Sequence, residues 1–122
     1  MYICVDFDGT CCKHKYPKIG ESIGAEKVLK KLVSCGYKLI LFTMRSGETL
    51  NDAVQWFSER EIPLYGINTN PTQKEWTNSP KAYGHLYIDD AALGCPLIYS
   101  EKERPYVDWE QVEEMLRKGR FI

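Results

Sequence analysis

Residues 2–10 read Tyr-Ile-Cys-Val-Asp-Phe-Asp-Gly-Thr, an apolar run that ends in two carboxylates and a glycine. The pattern predicts a buried strand whose carboxyl end carries Asp6 and Asp8. Open α/β sheets bind ligands beyond the carboxyl ends of their strands, so acidic side chains there are well placed for chemistry. Because Asp and Gly are also common in surface turns, a turn is the alternative interpretation of this segment.

The size and composition of the chain restrict its class. Its 122 residues are enough for one core and one domain, residues 1–122. A hydrophobic fraction of 43% is typical of a folded protein, and a net charge of −1 gives no overall basic field for nucleic acid or anionic membranes. No apolar run approaches the length of a membrane span, and the five cysteines lack zinc-ligand spacing. We therefore expect a cytoplasmic protein with reduced thiols that does not bind membranes.

Three segments have the apolar spacing of amphipathic helices. Apolar residues recur at i, i+3, i+4 and i+7 in residues 25–32 and again in residues 50–57, and Ser46 is placed to cap the second segment. The third helix follows Asp108, and Gln111 three residues later predicts a capping box.

Apolar runs of strand length alternate with these helices. They are residues 2–5, 38–43, 64–67, 85–88 and 97–99. The polar segment 68–81 between them is predicted to be a loop with one helical turn. This order of elements predicts an α/β fold, namely a Rossmann-like three-layer sandwich with a mainly parallel sheet and right-handed crossovers.

Polar residues follow three of the predicted strands. Asp6 and Asp8 follow the first, Thr43 ends the second, and Asp89 and Asp90 follow the strand at 85–88. In a parallel sheet these residues lie at the same edge. Four carboxylates in one crevice require a bound cation or raised pKa values. Because carboxylate and water oxygens suit Mg²⁺, the sequence predicts a magnesium site.

At these residues the chain resembles the haloacid dehalogenase-like (HAD) superfamily of phosphohydrolases, over nearly its whole length. The segments that carry the resemblance are Asp6-Phe7-Asp8-Gly9-Thr10, Leu41-Phe42-Thr43, a lysine and Ile88-Asp89-Asp90. Lys81 is the preferred lysine because it lies close to the acidic pair, and Lys74 is the alternative. Response-regulator receiver domains carry similar residues, but their acidic pair follows the first strand and their threonine and lysine come late in the chain.

The resemblance implies a Mg²⁺-dependent phosphatase that hydrolyses a phosphate monoester through an aspartyl-phosphate intermediate. Asp6 is then the nucleophile, and Asp8 is the general acid and base. Thr43 and Lys81 are catalytic residues that also bind the phosphoryl group. From the residues alone, Arg45 is a further substrate-binding candidate because its planar guanidinium suits phosphate.

The resemblance also implies how Mg²⁺ is bound. Asp6, the backbone carbonyl of Asp8 and Asp89 are the expected ligands, with Asp90 in direct or indirect support. Two alternatives share the fold: a non-catalytic phosphate-binding or regulatory module, and a phosphotransferase. The intact pair of Asp6 and Asp8 argues against the first of these.

The gaps between the motifs are too short for the cap domain that many relatives insert, so we expect a HAD-like fold with no cap and an open site. An open site admits a phosphorylated small molecule or an exposed phosphate on a macromolecule, or an oligomer covers it. The basic loop 13–18 is either a device that steers anions or an ordinary solvated loop. His14 and His85 give no further functional signal.

Overall fold

Four parallel strands form the central sheet of the computed structural model, which describes residues 1–122. They are β1 (Tyr2–Val5), β2 (Lys38–Leu41), β3 (Gly66–Ile67) and β4 (Leu86–Ile88). The order across the sheet is β3-β2-β1-β4, and every pairing is parallel. The predicted α/β fold with a mainly parallel sheet is thus confirmed. Because the chain runs from β1 to β2 and β3 on one side and then places β4 on the other side of β1, the carboxyl end of β1 lies at the point where the strand order reverses, which is where such sheets bind ligands.

Three helices accompany the sheet: α1 (Ala25–Ser34), α2 (Gly47–Glu59) and α3 (Trp109–Lys118). None of them has the length and apolarity needed to cross a bilayer. The capping box of α3 forms in a modified way. The Asp108 carboxylate accepts hydrogen bonds from both the backbone N–H and the side-chain amide of Gln111, at 3.2 and 2.8 Å. The backbone N–H of Asp108, the usual second partner of such a box, donates instead to the carbonyl of Pro96.

The two faces of the sheet are covered differently. Ile3 and Val5 pack in one large cluster with buried residues of all three helices. The intervening Cys4 points to the opposite face, where it packs with Ile40 and Ala82 in a small second cluster. The predicted three-layer sandwich is therefore corrected: helices cover one face, and the segment 68–83 covers the other.

That segment contains only one helical turn, at Gln73–Glu75, as its polar composition predicted. Side chains satisfy its backbone in place of a helix. The buried Gln73 amide donates to the carbonyls of Ser79 and Lys81 and accepts from the N–H of Tyr83. A loop held in this way can form a layer without helical hydrogen bonds.

A two-stranded antiparallel hairpin, β5 (Leu97–Ile98) and β6 (Tyr106–Val107), lies outside the central sheet. The sequence predicted β5 from the three-residue apolar run 97–99 but not β6, where the apolar run Tyr106–Val107 has only two residues. The N–H of Val107 donates to the carbonyl of Gly9 at 2.9 Å. This bond fixes the hairpin beside the segment that follows β1.

Candidate active site

Three carboxylates meet beyond the carboxyl ends of β1 and β4. Oxygen atoms of Asp6, Asp89 and Asp90 lie within 4.8 Å of one another, and each residue is partly buried. We call these three residues the acidic cluster. The backbone N–H of Asp6 donates to the carbonyl of Ile88 at 3.0 Å, which continues the parallel pairing one residue past the strand. The sheet register therefore brings the predicted acids of β1 and β4 together.

The Thr10 hydroxyl links two members of this cluster. It donates to Oδ2 of Asp6 at 2.8 Å and accepts the backbone N–H of Asp90 at 3.0 Å. Thr10 is fully buried, and its own carbonyl accepts the indole N–H of Trp109 at 2.7 Å. The other carboxylate oxygen of Asp6, Oδ1, is not engaged by the Thr10 hydroxyl. Thr10 belongs to the first motif, but the sequence alone predicted no role for it.

The electrostatics of the acidic cluster favour a cation. The pKa of Asp6 is raised to about 8, chiefly by burial and also by the carboxyl groups of Asp90 and Asp89, against the hydrogen bond from Thr10. Burial likewise raises the pKa of Asp89. No lysine or arginine forms an ion pair with any of the three carboxylates. An oxygen-only donor set without a lysine or arginine partner fits Mg²⁺ or another hard divalent ion.

The Asp8 carboxylate does not join the acidic cluster and is bound by Arg45 instead. The guanidinium Nε and Nη2 donate to Oδ2 and Oδ1 of Asp8, both at 2.8 Å, in a two-pronged ion pair. The Asp8 side chain is consequently not a member of the acidic cluster, and its carboxylate is not a metal ligand in this arrangement. The expectation that its backbone carbonyl contacts the metal stays a prediction.

Arg45 is not available to bind substrate. Its side chain is 1% exposed, and its remaining N–H groups donate to the carbonyls of Pro17, Lys18 and Thr49 at 2.8 to 3.2 Å. With the two bonds to Asp8, all five donors are used. The prediction of Arg45 as a substrate contact is corrected: it holds Asp8 and fastens the loop at residues 16–18 against the strand ends.

Thr43 lies just beyond β2. The preceding N–H, that of Phe42, donates to the carbonyl of Val5, so Thr43 follows the same sheet edge as Asp6. Its backbone N–H donates to Oδ1 of Asn68 at 2.8 Å, and its hydroxyl oxygen accepts the N–H of Arg45 at 3.1 Å. The hydroxyl proton remains free to donate, as a phosphoryl ligand requires. Asn68 is a positioning residue that sequence reasoning did not identify.

Lys81 belongs to the segment that covers the second face of the sheet. Its ammonium lies 5.4 Å from the centre of the Tyr87 ring and forms no ion pair. Tyr87 lines a cavity of about 220 Å³ together with Asp6 and Asp89, so Lys81 is next to a wall of that cavity. A direct contact between Lys81 and a phosphoryl group stays a prediction. Lys74 lies in the helical turn and lines a different, polar cavity.

A known structure resembles this one along nearly its whole length. It is that of a conserved protein from Bacteroides thetaiotaomicron, which is 36% identical and superimposes with a TM-score of 0.80. The similarity covers 98% of this chain and 91% of that one. This chain belongs to the same family as that conserved protein. No protein-family model and no curated protein matches the chain. The relationship thus supports the fold and leaves the reaction to be argued from the site.

His14 is a site residue that the sequence did not reveal. Its Nε2 lies 2.8 Å from Oδ2 of Asp90, with both side chains largely buried. Gly9 makes this contact feasible, since a Cβ there would lie 2.0 Å from His14 Nε2 and 2.4 Å from Asp90 Oδ2. The glycine of the first motif therefore provides space, in addition to its left-handed φ of 78°.

Proposed function

We propose that this protein is a Mg²⁺-dependent phosphatase that hydrolyses a phosphate monoester, with Asp6 as the nucleophile. One observation carries the proposal. Asp6 lies where the strand order reverses, with one carboxylate oxygen held by Thr10, beside two further carboxylates that have no lysine or arginine partner. A surface turn would not place a half-buried carboxylate there without a basic neighbour.

In the proposed reaction, Oδ1 of Asp6 attacks phosphorus, and the bond from phosphorus to the leaving oxygen breaks. The leaving oxygen takes a proton. Water then attacks the phosphorus of the aspartyl phosphate, loses a proton and releases inorganic phosphate and the free carboxylate. Thr43 donates its hydroxyl proton to a phosphoryl oxygen, and Lys81 supplies positive charge from the neighbouring wall.

Asp8 is the proposed acid and base for both proton transfers. Arg45 uses one acceptor position on each of its carboxylate oxygens, which leaves the outer positions open to a leaving oxygen or a water. The pair with Arg45 thus fixes the orientation of Asp8 and does not block it.

The residues that fit the metal are Asp6, Asp89 and Asp90. When bound, Mg²⁺ would offset part of the negative charge of these carboxylates and of the phosphate, so that an anionic nucleophile can approach an anionic substrate. We extend the proposal to membership of the HAD superfamily, capless type, on the order of the four motifs in the chain.

The test is hydrolysis of an aryl phosphate with and without Mg²⁺ by wild-type protein and by Asp6→Asn. We expect slow turnover that requires the metal and is lost in Asp6→Asn. The matched control, Asp52→Asn on the exposed surface of α2, retains it. Acid quenching during turnover, followed by peptide mass spectrometry, should find a phosphoryl group on the peptide that contains Asp6.

Other outcomes identify the alternatives. Full activity in Asp6→Asn refutes the nucleophile assignment. Phosphate binding without turnover of any monoester indicates a binding module. Transfer to an added alcohol in preference to water indicates a phosphotransferase.

A further inference from the structure

A cleft of about 330 Å³ lies beside the acidic cluster and plays no part in the reaction described above. Residues 13–15, Glu21 and residues 102–104 line it. We call it the basic cleft. One wall is the segment that follows Asp8, and the other is the turn of the β5–β6 hairpin. Its volume is at the lower end of the range for small-molecule sites.

The two walls are joined by one ionic contact. Nζ of Lys13 lies 3.0 Å from Oε1 of Glu103 on the hairpin and 3.6 Å from Oε2 of Glu21 on its own wall. The bond from Val107 to the carbonyl of Gly9 fixes the base of the hairpin in the same place. A freely solvated basic loop would lack these ties, so the cleft is a formed feature of the fold.

The charge of the cleft is unbalanced. Four basic side chains face two carboxylates, a formal excess of two positive charges on a protein whose net charge is −1. Lys13 takes both carboxylates. The remaining three cations, Lys15, Lys102 and Arg104, have no carboxylate within 4.0 Å. Unpaired cations in a concave surface attract and hold anions.

The basic cleft adjoins the proposed active site through one residue. His14 lines the cleft, and its Nε2 contacts the Asp90 carboxylate of the acidic cluster at 2.8 Å. A ligand in the cleft is therefore separated from the acidic cluster only by the His14 ring. A single small molecule that passes the His14 ring can therefore present one anionic group to each site.

From this arrangement we propose that the basic cleft binds a second anionic group of the substrate, so that the preferred substrate is a small bisphosphate. The proposal rests on the proposed function, in which the acidic cluster and its metal receive the first phosphate. Lys15, Lys102 and Arg104 receive the second.

The binding test uses wild-type protein with Mg²⁺ and alkane bisphosphonates of increasing chain length, whose carbon–phosphorus bonds resist hydrolysis. Monophosphonates of the same chain lengths are the matched ligands. We expect calorimetry to show that one bisphosphonate length binds about tenfold more tightly than its monophosphonate, as two or more exposed ionic contacts allow. The double variant Lys102→Ala/Arg104→Ala should remove that preference. A control that removes the same two charges from the end of α3, Arg117→Ala/Lys118→Ala, should keep it.

Turnover gives the second arm. The ratio of kcat/KM for an alkanediol bisphosphate to that for the corresponding monophosphate should fall about tenfold in Lys102→Ala/Arg104→Ala and stay constant in the α3 control. Equal binding of bisphosphonates and monophosphonates at every length, or an unchanged preference in the cleft variant, overturns the proposal. Because binding needs no turnover, a failure of the phosphatase assignment does not mask the result. Turnover of monophosphates without any preference for bisphosphates refutes the cleft alone.

Discussion

Replacing Arg45 tests whether it holds Asp8 or binds substrate. The side chains of Arg45 and Asp8 are 1% and 18% exposed, and their two contacts are both 2.8 Å long. In Arg45→Met, Asp8 keeps its charge without a partner, and three backbone carbonyls lose a donor. Removing one member of a buried ion pair costs about 3–5 kcal/mol. Because water reaches Asp8 and the carbonyls of the exposed residues Pro17 and Lys18, we expect about 3 kcal/mol, the lower end of that range.

The assay is urea denaturation, in which the free energy of unfolding of each variant is extrapolated to water. Arg117→Met is a matched control, since Arg117 also contacts a carboxylate at 2.8 Å, that of Glu113, but is 55% exposed. It should lose less than about 1 kcal/mol. Arg45→Lys keeps the charge and loses the two-pronged geometry, so its stability should lie between those of wild type and Arg45→Met.

A double-mutant cycle completes the test. Asp8→Asn removes the unpaired charge, so Asp8→Asn/Arg45→Met should be at least about 1 kcal/mol more stable than the sum of the single changes predicts. The reasoning is refuted by the following result. The free energy of unfolding of Arg45→Met is within about 0.5 kcal/mol of the wild-type value, the range of an ordinary surface substitution, while its KM for an aryl phosphate rises. That result would restore Arg45 as a substrate contact.

Three further changes test the site. Gly9→Ala should lower the free energy of unfolding by about 2 kcal/mol or more in urea melts, through its positive φ and the contact with His14. Gly94→Ala is the control, since Gly94 has a φ of 93° and no atom lies within 4 Å of the added Cβ; it should cost only about 1 kcal/mol. Equal losses of stability in Gly9→Ala and Gly94→Ala would show that the space beside His14 is unimportant. Thr10→Val leaves Oδ2 of Asp6 and the N–H of Asp90 without a partner, so it should lower the free energy of unfolding by about 1–3 kcal/mol. Thr10→Ser keeps the hydroxyl and should retain most of that stability. If the two variants are equally stable, the bridging role of Thr10 is contradicted. Mg²⁺ at about 100 times its Kd should stabilise the wild type by about 2.7 kcal/mol in thermal melts and stabilise Asp89→Asn much less, and an unchanged Tm in the wild type argues against the metal site.

The sequence predicted the sheet edge well because its signals are local. The run that ends at Asp6 and the run that ends at Asp89 are each complete within a few residues, and parallel pairing brings their ends together. Thr43 follows the same rule. These predictions needed only strand identity and chain order.

Other features depend on contacts between distant residues, which no local pattern encodes. Asp8 and Arg45 are 37 positions apart, and Asp90 and His14 are 76 apart. The local sequence around an arginine near a phosphate site does not show whether its side chain faces solvent or a buried carboxylate. The prediction that helices form the third layer was wrong for a related reason, because side-chain bonds from Gln73 replace helical hydrogen bonds there.

The distribution of charge around the strand ends gives the strongest argument for a cation. Each carboxylate beside the acidic cluster has a basic partner: Asp8 has Arg45, and Glu21 and Glu103 share Lys13. Asp6 and Asp89 have none, although Arg45 and Lys13 belong to the same surrounding segments. If the acidic cluster served only to stabilise the fold, an ion pair with one of these basic residues would stabilise its carboxylates without any change in the path of the chain. Arg45 and Lys13 are already paired with neighbouring carboxylates. The acidic cluster therefore remains available to a divalent ion, and the three unpaired cations of the basic cleft remain available to an anion.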